Sequence, residues 1–324
     1  MITERFVETD TKVKHLRSLD FLWVELTSKC NLQCVHCYAE SGPHMPLLMT
    51  MRYQDWQNLL SDAYTRGCRR VQFIGGEPLL HPNLHELIRD ARHIGYEFIE
   101  VVTNGTMLND SWFTLFREFD VNVAFSFYSA DPTTHDAITH RKGSSEKTLL
   151  AIKRALNSEL GIRVGVVIMP DNHEHFDRTL ELLKSIGVTN IGVDRIRGIG
   201  RAEAISSNAS QYNELCGACW KGKLCVSADG KVFPCVFSKF RPVGHINDGI
   251  DNILAGADLL EFRTRMYQSV SKFLSMSDSQ LVSVPTSSNQ SSQPCWPDYN
   301  CPPCGPNQPC RPQTCHPEVP CNPY

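Results

Sequence analysis

The sequence has no apolar run of the roughly 18 residues that a membrane-spanning helix needs, so no membrane association is expected. It has no basic excess either. Against 35 Asp and Glu stand 32 Lys and Arg, a net charge of -3, which leaves no surplus to hold phosphate backbones and excludes nucleic acid as a partner. A secretory signal is also missing, because the opening residues MITERFVETDTKVKHLR put charges where an apolar segment would lie. A cytoplasmic protein is expected. Disorder is excluded by a composition of 41% hydrophobic and 21% charged residues, enough across 324 positions to bury a substantial core.

What the chain does have is cysteine, 14 in all, and without an export signal these read as metal ligands before disulfides. Three stand at Cys30, Cys34 and Cys37, Cys68 is alone, four lie between Cys216 and Cys235, and six crowd into Cys295 to Cys321. A disulfide-rich knot is the alternative for the tail CPPCGPNQPCRPQTCHPEVPC, but it sits poorly with a reducing compartment.

From Phe21 to Ile196 short apolar or β-branched runs alternate with helical patterns, the signature of repeated βα units on a parallel sheet. Six strands are expected: Phe21–Leu26, Arg70–Ile74, Glu97–Val102, Val121–Phe127, Ile162–Met169 and Asn190–Ile196. Amphipathic helices should carry Tyr53, Trp56, Leu60 and Ala63 after the first, and Phe176, Leu180, Leu183 and Ile186 after the fifth. Such a sheet is either open and doubly wound or curved into a partial barrel, and both place reactive groups at the C-terminal strand ends. After Arg201 the rhythm stops; two cysteine pairs, a short hairpin around Asp229 and Gly230, and a helix through Asp258 to Met266 follow. The expected organisation is an N-terminal segment 1–20, an α/β unit 21–205 and a Cys-rich unit 206–324. A flexible linker falls at about 276–294, centred on the polar stretch Ser283–Gln293. Ten of the 19 prolines lie beyond it, so the tail needs metal to fold.

Cys30, Cys34 and Cys37 form C-x3-C-x2-C in the loop leaving the first strand, a spacing that lets three thiolates converge on one inorganic cluster and leaves a metal position unfilled. A closed zinc site would want a fourth ligand, and His36 lies in the short x2 gap where its reach is poor. The residues CNLQCVHCY resemble the signature of the radical S-adenosylmethionine (SAM) superfamily. The resemblance extends over roughly Phe21 to Arg201 and implies a partial (β/α)6 TIM-type barrel whose three cysteines hold a [4Fe-4S] cluster, the unique iron being chelated by SAM. It also implies the SAM contacts. Gly75, Gly76, Glu77 and Pro78 match the family's GGEP segment, where glycines admit backbone carbonyls to the SAM ammonium and Glu77 adds charge. Thr103, Asn104 and Ser126 end the third and fourth strands, where such proteins contact the methionyl and ribose portions. Arg141 resembles the arginine that grips the SAM carboxylate, and His36 and Tyr38 stand where the family lies near adenine, although Tyr38 equally suits packing.

The second constellation gives C-x10-G-x4-C through Cys219, Gly230 and Cys235, with Gly230 turning the hairpin. The tail gives C-x2-C-x5-C-x4-C and a last cysteine: Cys301, Cys304, Cys310, Cys315 and Cys321. Together these resemble the SPASM extension, which holds two auxiliary [4Fe-4S] clusters; the departure is one extra residue between Cys310 and Cys315. By that resemblance the first cluster takes Cys219, Cys235, Cys315 and one of Cys216 or Cys225, and the second takes Cys301, Cys304, Cys310 and Cys321. Cys68, Cys295 and the remaining one of Cys216 and Cys225 are spare. Zinc stays open for this half, because C-x2-C spacing does not separate it from iron.

The resemblance implies reductive cleavage of SAM to a 5'-deoxyadenosyl radical that abstracts a substrate hydrogen, with an auxiliary cluster accepting the leftover electron. The net outcome is an oxidation such as a crosslink or dehydrogenation. It favours a ribosomally made peptide as substrate, with a flavodoxin- or ferredoxin-type electron donor. Only 29 residues precede Cys30, so a separate leader-recognition protein is expected. The alternatives are a small molecule (a sugar, aminocyclitol or nucleoside) and a non-catalytic iron-sulfur or zinc carrier. Sulfatase maturation is disfavoured because Val236 follows Cys235 where that subgroup has an acid. Asp194, Arg195 and Arg197 at the sixth strand's end are candidates for substrate contact or, alternatively, a salt-bridged rim.

Overall fold

A computed structural model of the chain describes residues 16–48, 50–204 and 211–277. Segment 1–15, the linker core Ser283–Gln293 and the tail cysteines Cys295, Cys301, Cys304, Cys310, Cys315 and Cys321 lie outside the described residues.

Six strands run in parallel: β1 (Phe21–Glu25), β2 (Arg70–Ile74), β3 (Phe98–Thr103), β4 (Asn122–Ser126), β5 (Ile162–Ile168) and β6 (Ile191–Arg195). Six α-helices lie between them in the chain: α1 (Tyr53–Thr65), α2 (Leu84–Ile94), α3 (Asp110–Glu118), the consecutive pair α4 (Pro132–Thr139) and α5 (Ser144–Asn157), and α6 (Phe176–Ser185). Side-chain alternation divides each strand between two faces. Leu22, Val24, Val71, Phe73, Ile99, Val101, Val123 and Phe125 pack outward among the helices, with Trp56, Leu60, Leu87 and Phe116. Phe21, Trp23, Ile74, Val102 and Ala124 face inward.

The inner face also carries a buried polar layer below the site. Gln72 donates to Glu100, and Arg163 grips the same carboxylate with Nε (2.9 Å) and Nη2 (2.8 Å). A carboxylate with so little solvent is tolerable because this fork satisfies it.

Beyond β6 the chain returns to the other edge of the sheet. β7 (Lys223–Val226) pairs in parallel with β1, Trp23 opposite Cys225, and leads through the Asp229-Gly230 turn into antiparallel β8 (Lys231–Phe233) and then β9 (Gly244–His245). The sheet order is thus β6-β5-β4-β3-β2-β1-β7-β8-β9, open at both ends among the described residues. Gly230 has φ 83°, as the expected hairpin requires. Helices α7 (Ile250–Ala255) and α8 (Ala257–Ser277) follow, and α8 includes the first two residues assigned to the linker. From α8 the fully buried Arg263 donates to the carbonyls of Leu16 (2.6 Å), Ser18 (2.9 Å) and Lys223 (2.9 Å), tying the chain entering β1 to the start of β7. Among the described residues no helix is long and apolar enough to cross a membrane.

Candidate active site

A cavity opens at the C-terminal ends of the parallel strands, with about 760 Å3 of space when its open mouth is included. Cys30, Cys34 and Cys37 all line it. Their loop is strapped from several sides. Gln33 and Val35 donate their N–H groups to Thr139 O (3.1 Å) and Ile138 O (2.9 Å) at the end of α4, and Asn104 Nδ2 donates to Asn31 Oδ1 (2.8 Å). The Leu32 N–H (3.4 Å) and Asn104 Nδ2 (3.8 Å) both approach Cys30 Sγ.

The thiols fit an iron-sulfur cluster. Burial pushes Cys30 up to about 12 and Cys34 well above the ordinary thiol range, and each neighbouring cysteine adds repulsion, so iron must displace protons on binding. Among the described residues no three His, Cys, Asp or Glu side chains converge so as to hold a single metal ion; the thiols stand around a cavity. Two further polar atoms on its wall, His36 Nδ1 and Ser41 Oγ, are buried without a hydrogen-bond partner, as a cradle for a polar ligand would leave them. His36 stacks edge-on against Tyr128 (4.6 Å), and burial with the charge of Arg201 pushes its imidazole down to about 4, which keeps it neutral.

Gly75 and Gly76 also line the cavity, and their smallness serves the loop behind them. Gly75 has φ 143°, and a Cβ on it would stand 2.6 Å from Thr27 O. The N–H groups of Gly76 and Glu77 meet Thr27 O (2.6 Å) and Lys29 O (2.9 Å), welding the exit of β2 to that of β1. Thr103, Asn104 and Ser126 reach the same wall from the ends of β3 and β4.

Glu77 and Pro78 are placed differently from the expectation that Glu77 adds charge at the cavity. Neither lines it, and the fully buried Glu77 carboxylate accepts from Leu79 N (3.1 Å), Thr103 Oγ1 (2.8 Å) and Asn104 N (2.9 Å), clamping β2's exit to β3's. Burial outweighs these donors and pushes the carboxyl up to about 7 from an ordinary 4.5. As pH rises from about 4.5 to about 7 the unfolded chain releases this proton while the folded chain keeps it, so stability falls through that window. Metal-free Glu77→Gln should lack this slope and gain on wild type by up to about 3 kcal/mol between pH 4.5 and 8 in urea titrations. Parallel pH profiles would show that Glu77 is not the responsible group.

Arg141 is exposed and does not line the cavity. His140 caps α4 in the left-handed region, and Asp136 gathers the N–H groups of Gly143 and Ser145 and the Ser144 hydroxyl, folding the turn back onto its own helix. The cavity's arginine at the cysteine loop is instead Arg201, which the sequence reading did not single out. Tyr38 closes the wall, its ring on Phe237 (5.4 Å) and its hydroxyl donating to Glu25 Oε1 (3.1 Å); Glu25 also pairs with Lys239.

Asp194, Arg195 and Arg197 line the opposite wall and are ion-paired there. Arg197 holds Asp194 with Nε and Nη2 (2.9 Å each), donates to Glu214 O and lies over Phe237 (4.7 Å). Arg195 Nη1 meets the buried Glu214 carboxylate (3.2 Å). The pair therefore lines the cavity and also clamps the segment entering the second cysteine group. In that group Cys219 stands 3.1 Å from Cys235 and also contacts Cys216. Cys225 is set towards Glu25 and Lys239, whose Nζ lies 4.0 Å from its sulfur. Cys68 is fully buried in the outer core.

Residues 24–183 match the radical SAM superfamily, and residues 216–273 match SPASM, an iron-sulfur cluster-binding domain. The antilisterial bacteriocin subtilosin biosynthesis protein AlbA of Bacillus subtilis strain 168 is 26% identical over 263 residues, 71% of this chain and 58% of that protein. A GTP 3',8-cyclase of Petrotoga mobilis is 33% identical over 162 residues, 48% of this chain and 49% of that enzyme. The chain thus spans about half to three fifths of the length of these relatives. Streptococcus suis SuiB, in a crystal structure bound to precursor peptide SuiA, has a TM-score of 0.65 at 13% identity, covering 80% of this chain and 70% of that one. Together with the three-cysteine loop at the C-terminal edge of an open parallel sheet, these matches establish that the chain belongs to the radical SAM superfamily and carries a SPASM iron-sulfur extension.

Proposed function

We propose that the protein is a radical SAM enzyme that oxidatively crosslinks or dehydrogenates a ribosomally synthesised peptide. The observation that carries this reading is the single cavity lined by the three cysteines, Gly75, Gly76, Thr103, Asn104 and Ser126 on one side and by the clamp on the second cysteine group on the other. When bound, the cluster and SAM supply a 5'-deoxyadenosyl radical able to take hydrogen from an unactivated C–H bond. The chain's own work is to hold and enclose. His36 Nδ1 and Ser41 Oγ offer hydrogen bonds to the cofactor, and the strand-end residues orient it. Val102, Tyr128, Val167, Ile196 and Phe237 keep water out. Asp194 and Arg197 present a fixed dipole to the substrate. Of the second group, Cys216, Cys219 and Cys235 are the auxiliary ligands from this part of the chain, joined by Cys315, and Cys225 is spare; the tail's Cys301, Cys304, Cys310 and Cys321 would hold a further cluster.

A peptide substrate is supported by the likeness to AlbA over 71% of the chain. The higher identity of a GTP cyclase, over 48% of the chain, favours a nucleotide as the second reading. Against it, Arg195 and Arg197 are already ion-paired, whereas a triphosphate wants several available cations. The enzyme would work in a reducing compartment, with a flavodoxin- or ferredoxin-type donor.

Anaerobic reconstitution with iron and sulfide, followed by assay of 5'-deoxyadenosine, tests the reading. About twelve irons per chain, deoxyadenosine, and the loss of two hydrogens from a short peptide encoded nearby are the expected results. Turnover of GTP but of no peptide would favour the second reading, and no deoxyadenosine from a loaded, reduced enzyme would refute both.

A further inference from the structure

Past β6 the chain runs through Ile199 and Gly200 and brings Arg201 against the three-cysteine loop. Gly200 has φ 61°, and a Cβ there would stand 2.5 Å from both Cys37 O and Tyr38 O, so backbone lies directly on backbone. Arg201 then makes three bonds to the loop. Its Nε donates to Cys34 O (2.8 Å), its Nη2 to Ser41 O (2.8 Å) and its main-chain N–H to Cys37 O (3.1 Å). The other two arginines of the cavity are neutralised by Asp194 and Glu214, but among the described residues no carboxylate pairs with Arg201.

We propose that Arg201 is the positioning residue of the three-cysteine loop and the fixed positive charge of its site. The fork spans two carbonyls seven residues apart and so sets the loop's shape, a task suited to a planar guanidinium. Its charge acts separately. Three ligating thiolates make the site anionic and an added electron makes it more so, so a nearby cation with no counter-ion stabilises the reduced state and raises the reduction potential. The proposal rests on the reading that Cys30, Cys34 and Cys37 hold a cluster.

Arg201→Gln and Arg201→Lys, compared with wild type, separate the two effects. Amide exchange across residues 34–41 of the metal-free proteins reports the fork. The midpoint potential of the cluster whose electron paramagnetic resonance signal shifts on adding SAM reports the charge. In Arg201→Gln exchange should quicken about tenfold and the midpoint should fall. In Arg201→Lys the quickening should be smaller and the midpoint should stay near wild type. Wild-type exchange or a wild-type midpoint in Arg201→Gln would overturn the proposal. A wild-type protein that takes no iron at these cysteines would instead refute the cluster reading, and the exchange comparison would still decide the role of the fork.

Discussion

Cys34→Ala is expected to bind about four fewer irons per chain than wild type and to form no 5'-deoxyadenosine above background, while keeping its fold. The separation follows from how the loop is held. Around Cys34 its straps use main-chain groups: the Gln33 and Val35 N–H groups on the end of α4, the Cys34 carbonyl on Arg201, and the Cys37 N–H on Cys34 O (3.3 Å). None uses the Cys34 sulfur, so its removal leaves a small void and all these bonds. A thermal melt within a few degrees of wild type, beside the iron and product assays, would show that the loss is chemical. A variant that retained deoxyadenosine formation would sink the assignment of Cys34 as a ligand.

Gly76→Ala is expected to damage both stability and turnover. A Cβ at this position would lie 2.1 Å from Lys29 O, 2.5 Å from Lys29 C and 3.0 Å from Cys30 N, all of them main-chain atoms that no rotamer can move aside. The chain entering the cysteine loop must shift, and overpacking of this kind costs about 1–3 kcal/mol. The effect on SAM cleavage should be larger, about a hundredfold or more, because Cys30 is displaced with its backbone and reactive geometry tolerates little error. Urea titration and deoxyadenosine assay at full iron loading measure the two effects. Wild-type values in both would mean that the close approach of β1's exit to β2's exit is not needed.

The barrel was largely legible in the sequence. The apolar runs mark the second strand at its observed bounds, Arg70–Ile74, and the other five to within one residue at each end. Strands buried on both faces leave dense apolar runs, and the intervening helices frame them. The Asp229-Gly230 turn was equally plain, because a hairpin there demands positive φ. What escaped depends on distant pairing. The short run Lys223–Val226 carries no mark of lying parallel to β1, and GIGRAE gives no sign that Arg201 returns to a loop 160 to 167 residues earlier. The GGEP motif suggested a ligand-facing Glu77, yet three donors from neighbouring strand exits bury it, and Arg141 was carried outward by the cap of α4. That Cys216 stands with Cys219 and Cys235 while Cys225 turns towards Glu25 and Lys239 is a matter of facing direction, which spacing does not encode.

The pairing of β7 with β1 bears on how the molecule can be cut. In the intact chain β1 is an interior strand, hydrogen-bonded on both sides. A fragment ending after β6 would strip one side of Phe21–Val24 and present its bare N–H and C=O groups beside Leu22 and Val24, an open template for strand addition by other molecules. The barrel half is therefore a poor unit for expression by itself: the Cys-rich extension protects it from self-association as well as adding sulfur ligands, and truncations meant to isolate SAM cleavage would need to retain the β7–β8 hairpin to stay in solution.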